Sequence, residues 1–151
     1  RYAPFQMSCF TDNEAGKDYH WCQECTVCTK MYLLCVGGGV DPKEIGLTKQ
    51  LLSNEYRELY PLFGADSKFS YLRTSMARDE QLFSFYCATK LGCKEGLVLE
   101  FANSALYEEA ESRFDELYKQ FCSFYDPLSV PPKLLPRLKH IFNEELTSFN
   151  F

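Results

Sequence analysis

The sequence predicts an all-α fold, a disulfide-stapled bundle of four long helices plus a short C-terminal helix, in a single domain covering residues 1–151. Three observations carry that expectation. Apolar residues recur at steps of three and four through long stretches, with little period-2 alternation. The chain breakers are few and well separated: Gly37-Gly38-Gly39, Asp41-Pro42, Pro61 to Gly64, Gly92 to Gly96, Asp126-Pro127 and Pro131-Pro132. Eight cysteines stand among 151 residues, an even count that reads as a disulfide framework in a small domain.

The first helix is expected from about Asp18 to Cys35, with Asp18 as its N-cap and the triple glycine as its stop. A second takes Asp41 as cap and Pro42 at its first position. It should reach about Tyr60 and carry the stripe Ile45, Leu52, Tyr56 and Leu59. The third begins at Asp66 or Ser67, carries Phe69, Leu72, Met76, Phe83 and Tyr86 or Cys87, and ends at Gly92. Phe83, Phe85 and Tyr86 cannot share one helix face, so one of them should meet another chain, a ligand or the N-terminal segment.

The fourth helix has the clearest period. Leu99, Ala102, Leu106, Ala110, Leu117, Phe121 and Phe124 form its apolar side, with Phe114 beside them and Glu108, Glu111 and Asp115 opposite. A fifth runs from about Lys133 to Ser148, with Leu135, Leu138, Phe142 and Leu146 turned inward. Pro136 is tolerated there because it falls near the first turn.

Composition narrows the function. Apolar residues at 46% and charged residues at 25% exclude intrinsic disorder, and 16% aromatics imply a ring-rich core. A net charge of −5 argues against nucleic acid as a partner, which calls for a basic field. No apolar run approaches the roughly 18 residues that a membrane span needs, so no transmembrane segment is expected. The chain opens Arg1-Tyr2-Ala3-Pro4 without an initiator methionine, as a fragment or a mature secreted protein would. With the cysteine count, this points to a secreted or extracellular location.

The densest feature is His20-Trp21-Cys22-Gln23-Glu24-Cys25-Thr26-Val27-Cys28, followed by Cys35. Cys-x2-Cys-x2-Cys offers thiolates that zinc or an iron–sulfur cluster could use, but the second knuckle of strong zinc signatures is missing. On a regular helix Cys22 and Cys28 point about 120° apart, so no metal and no cofactor are expected. Trp21-Cys22-x-x-Cys25 at a helix start resembles the active-site motif of thioredoxin-like oxidoreductases, which implies a thiolate activated by the helix N-terminus. That resemblance covers five residues, without the strand that precedes the motif in that family. Thiol–disulfide exchange is therefore the enzyme class nearest to the sequence, and no catalytic residue is assigned.

The favoured reading makes Cys9, Cys22, Cys25, Cys28, Cys35, Cys87, Cys93 and Cys122 structural half-cystines. Cys28 and Cys35 lie about 10.5 Å apart along a helix, beyond the roughly 7 Å Cα limit for a bridge. Each therefore needs a partner on another segment. An up-down-up-down topology pairs Cys28 and Cys35 with Cys87 and Cys93, and Cys22 and Cys25 with Cys9 and Cys122. Trp21 is expected as a core anchor. Glu108, Glu109, Glu111, Asp115 and Glu116 read as a solvated face, and Lys133, Arg137, Lys139 and His140 as a small basic cluster. The functional expectation is a secreted, non-catalytic binding module with a protein partner or receptor. The alternatives are a carrier of an apolar small molecule between the helices, then a thiol–disulfide or metal-binding protein centred on Cys22 and Cys25.

Overall fold

A computed structural model describes residues 21–63, 75–125 and 127–147. Among the described residues the chain is helical, with no strand. Its α-helices are α1 (Thr26–Gly37), α2 (Ser75–Lys90), α3 (Gly96–Ala102), α4 (Ala105–Ser112), α5 (Phe114–Cys122) and α6 (Leu135–Thr147). Short 3-10 turns cover Pro42–Ile45, Asn54–Leu59, Pro61–Phe63 and Pro132–Leu134. Cys9, Asp18, His20, Asp66, Ser67, Phe69, Leu72 and Ser148 lie outside the described residues.

Helix α2 forms the axis. Every residue from Gln81 to Ala88 is buried, because α1, α3, α4, α5 and the Pro61–Phe63 turn surround it. A helix covered on all sides has no outward face for a polar stripe. Phe85 packs its ring against Tyr60, Phe63 and Phe101 at centroid distances of 5.4, 5.3 and 5.5 Å. Phe83 stacks on Phe121 at 5.8 Å, and Tyr86 meets Tyr107 at 5.4 Å. Each of these three rings thus has aromatic neighbours within the bundle, while the N-terminal segment that was one of their expected partners lies outside the described residues.

Two of the expected long helices are broken, each for a local reason. Asp41 and Pro42 do start a helical turn, and the Asp41 carboxylate accepts from the Lys43 amide at 3.0 Å. That turn closes after four residues because Gly46 adopts φ 90°, a left-handed conformation in which glycine meets no Cβ penalty. A single 3-10 stretch, Asn54–Leu59, follows before Tyr60, not a continuous helix. Leu47, Leu51, Leu52 and Tyr60 are still buried, so apolar anchors hold the stretch in place of regular periodicity.

The expected fourth helix is divided at Asn103-Ser104 and again at Arg113. The Ser104 hydroxyl accepts from the Leu106 amide at 3.3 Å, restarting the helix with a new cap. This break resets the phase. Leu97, Val98 and Phe101 turn inward, whereas Leu99, expected on the apolar side, is exposed. Arg113 holds the second corner: its guanidinium bridges both Asp79 oxygens of α2 at 2.9 and 3.1 Å and reaches Glu116 at 2.7 Å.

Helix α6 begins with Pro136 in its first turn, where a missing amide costs least. It packs on the Pro132–Leu134 turn, and Phe142 meets Phe124 at 5.5 Å. Leu138, expected inward, is exposed together with Leu134 and Ile141. None of the described helices is long and apolar enough to cross a membrane.

Candidate metal centre

The site is a loop ahead of α1 rather than part of a helix. Trp21 is fully buried, and its indole N–H donates to the Ile45 carbonyl at 2.6 Å. That bond fixes where the loop begins. Gln23 then takes φ 59°, a left-handed value that costs a non-glycine residue on the order of 1 kcal/mol. Its side-chain oxygen repays this by accepting from the Thr48 amide at 2.7 Å, the Thr48 hydroxyl at 3.0 Å and the Lys49 amide at 2.8 Å. Its backbone N–H donates to Cys28 Sγ at 3.3 Å. The reversal at Gln23 bends Cys22 back over the start of α1.

Cys25 is the N-cap of α1 in extended conformation, and Cys28 lies one turn into the helix. The three sulfurs of Cys22, Cys25 and Cys28 all fall within 4.8 Å of one another. Cys28 Sγ stands 3.7 Å from Cys22 Sγ and 3.6 Å from Cys25 Sγ. Cys22 and Cys28 are buried and Cys25 is half-buried, so the cluster reaches solvent mainly along the Cys25 side.

Proximity divides the thiols electrostatically. The hydrogen bond to Cys28 is the main influence holding the Cys25 thiol down to about 5, against partial burial and with help from backbone amides and Cys22. The same bond, joined by burial, pushes Cys28 far above the ordinary thiol range. The acidity is thus directed to Cys25, the sulfur at the helix N-terminus, where the backbone dipole favours an anion.

The two chemistries call for different spacings. A disulfide requires sulfurs about 2.05 Å apart. A tetrahedral ion with metal–sulfur bonds near 2.3 Å places its sulfur ligands about 3.8 Å apart, close to the two spacings around Cys28. The trio can therefore occupy one face of a coordination tetrahedron with little movement.

The remaining cysteines are placed differently. Cys35, Cys87, Cys93 and Cys122 are dispersed through the bundle, and no two described cysteine sulfurs stand at bonding distance. Cys87, grouped by the expected topology with Cys28 and Cys35, instead lines one cavity with Cys122, because the breaks at Ser104 and Arg113 fold α5 back along α2. The helix-geometry argument against convergent thiols is also corrected: Cys22 and Cys25 precede α1, so a 100° step per residue does not govern them.

Sequence reasoning missed Gln23 and Thr48, the two residues that shape the loop. A glutamine carries no sequence signal for a left-handed turn, and Thr48 lies far away in sequence. His140 is exposed and stands 3.3 Å from Glu144. In the acidic row, Glu109 is taken up by Arg78 and Arg113, and Glu116 by Arg113.

Fold and site together define a helical protein organised around a three-thiol loop. No known protein family matches the chain, and neither a curated protein nor a solved structure is similar to it.

Proposed function

We propose that the chain is a metal-stapled helical binding module, with a zinc-class ion held by the thiolates of Cys22, Cys25 and Cys28. The observation that carries this reading is the pair of sulfur spacings around Cys28, 3.6 and 3.7 Å, which suit a shared ion. Such an ion would join the Trp21–Cys28 loop to the start of α1, while Gln23 ties that loop to Thr48 and Lys49. It would thus do the mechanical work that a disulfide does in other small domains. Three thiolates leave a fourth position of a tetrahedral ion for a further donor.

A second reading is favoured by one observation: Cys25 is half-exposed at the N-cap, with buried Cys28 three residues on at 3.6 Å. This is the layout of a dithiol that exchanges with disulfides.

Cobalt(II) titration of reduced, metal-free protein tests the proposal. One equivalent should give thiolate-to-metal charge-transfer bands and the intense visible bands of tetrahedral cobalt, both lost in Cys28→Ser. Absence of these bands would overturn the metal reading, and insulin reduction blocked by Cys25→Ser would install the exchange reading. A count of zero free thiols in denatured, unreduced protein would replace both with a disulfide framework and the secreted binding module that goes with it.

A further inference from the structure

Where α1, α2 and α5 meet, a cavity of about 250 Å³ opens between Leu34, Phe83, Cys87, Phe121 and Cys122. It exists because α1 ends there in Gly37 and Gly38, which bring no side chains to fill it. At Gly37 the backbones of α1 and α2 already approach closely, so that an added Cβ would stand 2.7 Å from the Ser84 carbonyl oxygen. The charged residue of the wall, Glu80, is neutralised by Lys30 at 2.7 Å. The Ser84 hydroxyl donates to the Glu80 carbonyl at 2.7 Å. Among the described residues the one buried side-chain polar atom without a partner is Glu95 Oε2, which is not in this wall. Burial raises the Cys87 thiol to about 12 and raises Cys122 as well, so both remain neutral at pH 7 and present small apolar surfaces.

We infer that this cavity binds an uncharged, apolar ring compound of naphthalene size. Charge and volume select that occupant. A mostly apolar wall whose one carboxylate is ion-paired and whose serine hydroxyl is already bonded gives little to an ion or to the backbone of a peptide. An apolar cavity of about 150 Å³ holds benzene, so this larger one suits about two fused rings and is too small for a helix. Phe83 and Phe121, stacked at 5.8 Å and 27°, offer it an aromatic wall. The site shares no residue with the thiol loop and stands or falls independently of the metal.

The test is a naphthalene titration of the full reduced chain, read by thermal melting and by amide NMR shifts. The melting temperature should rise saturably, with shifts confined to residues 34–38, 80–87 and 121–122. Cys122→Phe, which fills the cavity, should melt at or above wild type and lose at least tenfold in naphthalene affinity. If that variant fails to fold, xenon NMR on the wild-type chain decides, with one saturable site mapping to the same residues expected. No saturable response, shifts centred elsewhere, or undiminished binding by folded Cys122→Phe would each overturn the inference.

Discussion

Cys28 and Cys87 are covered to the same degree, 0% and 2% exposed, yet they belong to two different populations. Cys28 has two sulfurs within 3.7 Å and helps hold Cys25 at about 5. Cys87 sits near the C-terminal end of α2, and burial lifts it to about 12. Burial alone therefore does not fix what a thiol can do. The loop supplies companions, backbone amides and a helix N-terminus, whereas the bundle acts on Cys87 mainly through a low dielectric, with Cys122 nearby adding to it.

The sharpest way to break this contrast is to remove what holds the loop. Trp21→Ala should cost about 3–5 kcal/mol, as for other buried aromatics, measured by chemical denaturation. Cobalt affinity should fall with it, because the loop loses its anchor on Ile45. A protein that melts normally would show that the trio organises itself without Trp21.

Next in size is Cys28→Ser, which removes the sulfur common to both short contacts. Metal affinity should fall by more than about a hundredfold, beyond the loss typical of an outer-shell partner, in competition with a chromophoric chelator. Cys87→Ser should leave the metal stoichiometry at one.

Acidity sharpens the comparison further. The folded-state value of Cys25 lies below its ordinary 9.0, so its stabilising contribution is full above 9.0 and drains away as pH falls towards about 5. Cys28, raised by the same bond, acts in the opposite sense in alkali. In metal-free protein, alkylation of Cys25 should be nearly level between about pH 6 and 8, where an ordinary thiol gains about tenfold per unit. Peptide mapping after iodoacetamide pulses would show it, with Cys87 unlabelled throughout. A Cys25 rate that climbs like a free thiol's would dissolve the distinction. The smallest effect belongs to Cys35→Ser and Cys93→Ser, half-buried and away from the trio. Each should shift stability by less than about 1 kcal/mol and leave cobalt spectra unchanged.

The all-helical character was legible because periodicity and breakers report directly on backbone preference. Asp41-Pro42 as a start and Pro136 in a first turn follow from local chemistry, and the structure has them there; Trp21 is the expected core anchor, though in the loop before α1 and not on the first helix. Helix continuity was not legible. The run from Leu99 to Phe124 keeps its spacing on paper, but the Ser104 hydroxyl competes for the backbone and restarts the count. The convergence of Cys22 with Cys28 was hidden for a related reason: it depends on the left-handed Gln23, whose stabilising partners lie 25 and 26 residues away.

The all-round burial of α2 also constrains how the protein is made. Phe85 needs Tyr60 and Phe63 from upstream and Phe101 from downstream, while Phe83 needs Phe114 and Phe121. During vectorial synthesis, Tyr60 and Phe63 emerge before α2, whereas Phe101, Phe114 and Phe121 follow it, so a chain stalled between α3 and α5 lacks the Phe114 and Phe121 rings that pack on Phe83. Exposed surface of that kind makes a nascent chain prone to aggregation, and synthesis of residues 96–122, at about 5–20 residues per second, is far slower than the roughly microsecond formation of a helix.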